Sequence, residues 1–93
     1  MIRSFADAET RRFFETGRSR RLPFEIWKRA SRRLTQLKIA KTLDDLRTPS
    51  SNHLESLRGN RGGQHSVRIN AQWRLYFRFA EGDAWDVEIV DYH

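Results

Sequence analysis

The chain carries 93 residues, no cysteine and a formal charge of +6. Disulfides, thiol catalysis and cysteine-ligated zinc are therefore excluded, and the length fits one domain, residues 1–93. No apolar run approaches the roughly 18 residues of a membrane span and Met1–Phe5 lacks the apolar stretch of a leader, so a soluble cytoplasmic protein with an anionic partner and no membrane association is expected.

Ile2–Phe5 reads as a short strand. Asp7 is an N-cap, residues 8–16 are helical, and Gly17 supplies the left-handed C′ position. After the basic connector Arg18–Arg21, Pro23 suits the first turn of a second helix that runs to about Ala40. Trp27, Ala30, Leu34 and Leu37 fall on one face of it, with Lys28, Arg29 and Arg32 opposite. Leu43 and Leu46 continue in a short third helix capped by Thr42 and stopped before Pro49. The period then changes to two. Strands are expected at 53–58, at 65–69 with Val67 and Ile69 inward, at 73–79 with Trp73, Leu75, Phe77 and Phe79 inward, and at 85–90 with Trp85, Val87 and Ile89 inward. Consecutive strands this close form hairpins. The fold class is α+β: a small antiparallel sheet with N-terminal helices packed on its apolar face.

The charge is uneven. Residues 81–93 hold five acids and no Lys or Arg, so the other eighty residues carry 18 basic against 7 acidic groups, or +11. A polyanion-binding surface and an ordinary solvated basic domain explain that balance equally well.

Strand register follows from keeping apolar residues on one face. A three-residue loop Glu81–Asp83 pairs Phe79 with Trp85, Phe77 with Val87 and Leu75 with Ile89. On the polar face it sets Arg78 opposite Asp86, Tyr76 opposite Glu88, and Arg74 opposite Val90, so that Arg78 has a carboxylate partner and Arg74 has none. A loop Asn70–Gln72 places Arg68 directly opposite Arg74. Facing like charges are destabilising unless they splay into solvent or hold an anion between them. Tyr92 shares the parity of Val90 and lies diagonal to Arg74, with His93 at the rim. Either these residues converge on a site, or they edge a solvated sheet with a frayed end. The Arg58–Gln64 stretch is a second candidate: an anion-binding nest with Arg58 and Arg61 adding charge, or simply a flexible hairpin loop. Lys28, Arg29 and Arg32 either steer nucleic acid or are solvated. His53, His65 and His93 lack metal-ligand spacing, so no metal site is expected.

Leu57-Arg58-Gly59, Ser66-Val67-Arg68-Ile69-Asn70, Gln72-Trp73-Arg74-Leu75 and the closing Asp91-Tyr92-His93 resemble the HigB toxins of the RelE/ParE superfamily, and the similarity runs through the whole chain. The resemblance implies a metal-independent, ribosome-dependent endoribonuclease that cuts mRNA in the decoding site. It also implies a HigA-like helix-turn-helix antitoxin as partner, whose complex with the toxin binds operator DNA, and no cofactor. RNA cleaves when a 2′-hydroxyl attacks the adjacent phosphate, which asks for a base, an acid and fixed donors for the growing charge. On that reading Arg74 and Arg68 hold the scissile phosphate and Arg58 the backbone. Tyr92 and His93 move protons, and Asp91 orients one of them. Some relatives carry His where this chain has Glu55, and Lys where it has Arg58. Glu55 is then either a substitute base or an acidic rim residue. Arg58 keeps the charge without a transferable proton. Two rival readings share these features: a ParE-like toxin that binds DNA gyrase, and a non-catalytic RNA-binding module.

Overall fold

The computed structural model describes residues 1–92. Its first helix, α1 (Ala8–Thr16), begins where the Asp7 carboxylate accepts from the Thr10 backbone N–H at 3.2 Å and ends at Gly17, with φ 75°. Gly17 N–H then donates to the Phe13 carbonyl, which satisfies a group the helix end would leave open. A 3-10 turn at Phe24–Ile26 precedes α2 (Trp27–Ile39). Pro23 thus starts that turn and not α2 itself. A 3-10 segment at Leu43–Arg47 carries a complete capping box from Thr42 and Asp45.

The sheet comes next, in the order β1 (Glu55–Ser56), β2 (His65–Arg68), β3 (Trp73–Ala80) and β4 (Asp83–Asp91), all antiparallel. Phe13, Ile26, Leu34, Leu37 and Leu46 pack on one face against Val67, Leu75, Phe77, Val87 and Ile89, all at most 2% exposed. This is the expected arrangement of helices on one face of an antiparallel sheet.

Three expectations need correction. Ile2–Phe5 is not a strand. It touches the edge of β4 through two isolated parallel bridges, Ile2 to Ala84 and Phe5 to Val87. Only Glu55 and Ser56 of the segment 53–58 pair, because His53 is left-handed at φ 45° and the chain straightens just after it. The last hairpin differs most. Its turn has two residues, Glu81 and Gly82, at φ 54° and 81°, the paired positive values of a type I′ turn whose twist suits flanking strands. Asp83 therefore pairs with Ala80, Ala84 with Phe79 and Trp85 with Arg78. Ala84 is buried and Trp85 is 42% exposed, the reverse of the expected facing. A bulge then sets Asp86 and Val87 against the single Phe77. Asp86 takes φ 54°, its N–H donates to Ser4 Oγ at 2.8 Å, and its carboxylate meets Arg78 at 3.4 Å. That extra residue restores the frame. Beyond it Leu75–Ile89, Tyr76–Glu88 and Arg74–Val90 pair as the alternation requires, and Arg68 faces Arg74.

Candidate active site

The face of the sheet away from the helices is not a bare solvated surface. Ser66 and Tyr76 are buried there, and Arg74 is only 5% exposed. A guanidinium at that depth needs its donors engaged. Arg74 Nε donates to Ser66 Oγ at 2.9 Å, and a terminal nitrogen donates to the His53 carbonyl. The other terminal nitrogen lies 3.6 Å from Glu55 Oε1. Arg74 thus has the carboxylate partner that cross-strand pairing did not supply, and it comes from β1. Ser66 reaches it because the β2–β3 register puts residue 66 diagonal to residue 74. His53 reaches it because the left-handed residue closes the 3-10 turn Ser50–Asn52, itself anchored by Asn52 Nδ2 donating to the Leu46 carbonyl at 3.0 Å.

Tyr92 completes the arrangement. Its N–H donates to the Gln72 carbonyl, and its ring centroid lies 5.4 Å from the Arg74 guanidinium carbon. The side chain is 47% exposed, so the ring leans over a buried cation while one side meets solvent. Together His53, Glu55, Arg68, Asn70, Arg74 and Tyr92 line an open cleft of about 280 Å³. Its floor is a clamped guanidinium, its wall holds a second guanidinium directly across the strand pair, and its lip carries a phenol and a carboxylate. Two arginines, a phenol and a carboxylate in one open cleft are groups that can hold an anion and move protons beside it. Among the described residues no three His, Cys, Asp or Glu side chains cluster as metal ligands.

The remaining candidates scatter. Asp91 faces Trp73 across the strands, and its Oδ2 accepts from Gln72 Nε2 at 3.1 Å, so it does not line the cleft. His93 lies outside the described residues. Arg58 is exposed. Arg61 turns inward: it meets Glu88 at 3.2 Å and Gln64 at 3.2 Å, and stands 4.6 Å over the Tyr76 ring. Burial raises the Tyr76 phenol above its ordinary value, with the Arg61 cation acting against that shift. The backbone nest does not form. Gly59–Arg61 coils into a 3-10 turn, and the N–H groups of Arg61, Gly62 and Gln64 donate within the loop. Lys28 is exposed on α2, whereas Arg29 and Arg32 border a separate cleft. His65 is structural. Its Nδ1 lies 3.0 Å from Ser56 Oγ, its ring packs on Phe77, and burial pushes its imidazole below the usual value.

Sequence reasoning missed Ser66 and His53. Ser66 had a usable signal: it is a small hydroxyl on the parity of Arg68 in a strand whose register was legible. His53 had none, because its part depends on a left-handed backbone angle.

Comparison with known proteins shows the family and the fold. A family model described as the RelE-like toxin of type II toxin–antitoxin system HigB matches residues 3–93. Toxin HigB-1 of Vibrio cholerae is 38% identical over 85 residues, covering 90% of each chain. Endoribonuclease HigB of Proteus vulgaris is 32% identical over 93 residues, the full length of both. Among solved structures, YafQ from E. coli superposes with a TM-score of 0.60 at 13% identity, covering 98% of this chain and 93% of that one, and so shares the fold. The cross-strand arginine pair, the seated Arg74 and the tyrosine beside it thus stand in a chain that belongs to the HigB-like family of RelE-like toxins of type II toxin–antitoxin systems.

Proposed function

We propose that this toxin is an endoribonuclease that cuts translated mRNA on the ribosome without a metal, and that the cleft around Arg74 is where it cuts. The observation that carries this reading is the buried Arg74, tethered through Ser66, His53 and Glu55, facing Arg68 across the strand pair in an open cleft with Tyr92 over it. The full-length similarity to a protein named Endoribonuclease HigB supports the same activity.

In this reading the scissile phosphate lies between Arg68 and Arg74. A base takes the proton of the 2′-hydroxyl and the 2′-oxygen bonds to phosphorus. The bond from phosphorus to the 5′-oxygen breaks, and that oxygen receives a proton. A 2′,3′-cyclic phosphate and a 5′-hydroxyl result. Arg74 stabilises the extra charge of the pentacoordinate phosphorus, and its clamp means that it need not reorganise as that charge grows. Tyr92 and His93 carry the proton transfers, and Asp91, which accepts from Gln72, orients one of them. Glu55 holds the outward nitrogen of Arg74. Arg58, Arg61, Lys28, Arg29 and Arg32 supply the electrostatic field for the RNA backbone. A type II toxin has an antitoxin partner. Here we assign a HigA-like helix-turn-helix protein, whose complex with the toxin binds operator DNA, and the cytoplasm as the compartment.

The test is cleavage of end-labelled mRNA by purified protein, with and without programmed ribosomes, with the new ends mapped. Cutting with ribosomes only is expected. Cutting of free RNA keeps the nuclease and removes the ribosome requirement. No cutting in either mixture by folded, toxic protein overturns the reading and leaves gyrase binding or simple RNA binding.

A further inference from the structure

Arg29, Arg32, Arg33 and Gln36 repeat at i, i+3, i+4 and i+7, so one stripe of α2 carries three guanidiniums and an amide. Like charges at these spacings repel and weaken a helix. No carboxylate pairs with any of the three arginines among the described residues. Arg33 is the most exacting of them. It is only 8% exposed, and its Nε donates to the Arg68 carbonyl at 2.7 Å. Burial foremost, then the charges of Arg32 and Arg29, pushes its guanidinium below the ordinary arginine value. A buried cation without a counter-charge costs stability.

The stripe forms one wall of a cleft of about 320 Å³, and the other wall includes His53, Arg68 and Asn70. Those same three residues line the cleft around Arg74. The two clefts therefore share a partition, and Arg68 stands at it.

We propose that the α2 cleft is a seat for a second RNA phosphate, a near neighbour of the phosphate held at Arg74, on the same strand. The inference rests on the endoribonuclease reading for the identity of the strand. Its ligand chemistry, a phosphodiester of single-stranded RNA, follows from four guanidiniums without an acid on a partition continuous with the first cleft. Arg33 also ties α2 to the end of β2, so the seat fixes the distance between the two phosphates.

The experiment measures binding of uncleavable 2′-O-methyl oligonucleotides of one base, two to six nucleotides long, to the intact protein at several salt concentrations. A single repeated base removes register as a variable. Wild-type affinity is expected to rise as phosphates are added until both seats fill. Arg29→Gln/Arg32→Gln should bind the dinucleotide, which has one phosphate, as wild type does. It should bind the hexanucleotide roughly tenfold more weakly, with a salt slope lower by about 0.7 for the one phosphate no longer held. Arg33→Lys keeps the charge but loses the Nε bond, and should fall between. Lys38→Gln, in the last turn of α2 and not lining either cleft, serves as the control. No wild-type binding, an equal loss for dinucleotide and hexanucleotide, or an equal loss in Lys38→Gln overturns the second seat. If the length dependence behaves as described but no RNA is cut in the ribosome assay, the seat stands and the nuclease reading falls.

Discussion

Arg74 shows how a single residue is prepared by its surroundings. Each nitrogen-bearing edge has a different tether: a hydroxyl from β2, a carbonyl from the turn before β1, and a carboxylate on β1. Removing one tether should loosen the group without removing its charge. Ser66→Ala is expected to slow cleavage about tenfold, because the freed guanidinium forfeits roughly 1.5 kcal/mol of one charged hydrogen bond. RNA affinity should stay close to wild type, and a loss confined to affinity would show that Ser66 does not act through Arg74. His65 gives a prediction of another kind. Burial holds its imidazole below the ordinary value, so the unfolded chain takes up the proton first as pH falls through about 6.5. Stability should therefore decline as pH drops below about 6.5 and level off once the folded form also protonates. His65→Gln should remove that part of the slope in thermal melts between pH 7.5 and 5. An unchanged slope would assign the pH dependence elsewhere.

At the level of elements the last hairpin is instructive. A type I′ turn demands two positive φ angles, and Gly82 supplies the second at 81°. Gly82→Ala should cost about 1–2 kcal/mol of stability in chemical denaturation, and a Cβ there would also come within 3.3 Å of the Lys41 carbonyl. A cost near zero would show that the turn relaxes to another type. This hairpin also marks the limit of what alternation reveals. Ile89 and Leu75 are apolar on one parity, and so their pairing was legible. The bulge was not, because Asp86 adopts a positive φ that its residue type hardly announces, and a small Ala84 in place of Trp85 at the core is visible only when the turn length is known. The helices were easier, because Asp7, Gly17 and Thr42 each name a boundary through a specific hydrogen bond. The site divides the same way. Arg68 opposite Arg74 and Tyr92 beside them followed from parity and register. The clamp on Arg74 did not, since two of its three tethers come from a segment whose path depends on His53 at φ 45°.

Across the whole molecule three acids of the last hairpin, Asp83, Asp86 and Glu88, are structural. Asp83 pairs with Arg3 and the N-terminus, Asp86 with Arg78, and Glu88 with Arg61. They tie β4 to its neighbours and leave the arginines of α2 and Arg68 without an acid partner among the described residues. Association with the RNA-bearing target should therefore weaken steeply with salt. Neutralising Asp86, far along the sheet, should change stability by well under 1 kcal/mol as for other exposed pairs and leave the salt dependence intact.

If the cleft built on Arg74 and Tyr92 performs the cleavage, cutting and ribosome binding separate in its variants. The decisive experiment is single-turnover cutting of translated mRNA by wild type, Tyr92→Phe and Arg74→Lys, with ribosome binding measured in parallel. Each variant should bind ribosomes within a few-fold of wild type, while the cutting rate falls about 10²-fold or more. Variants that cut at the wild-type rate, or that lose cutting only in proportion to binding, would place the cleavage elsewhere.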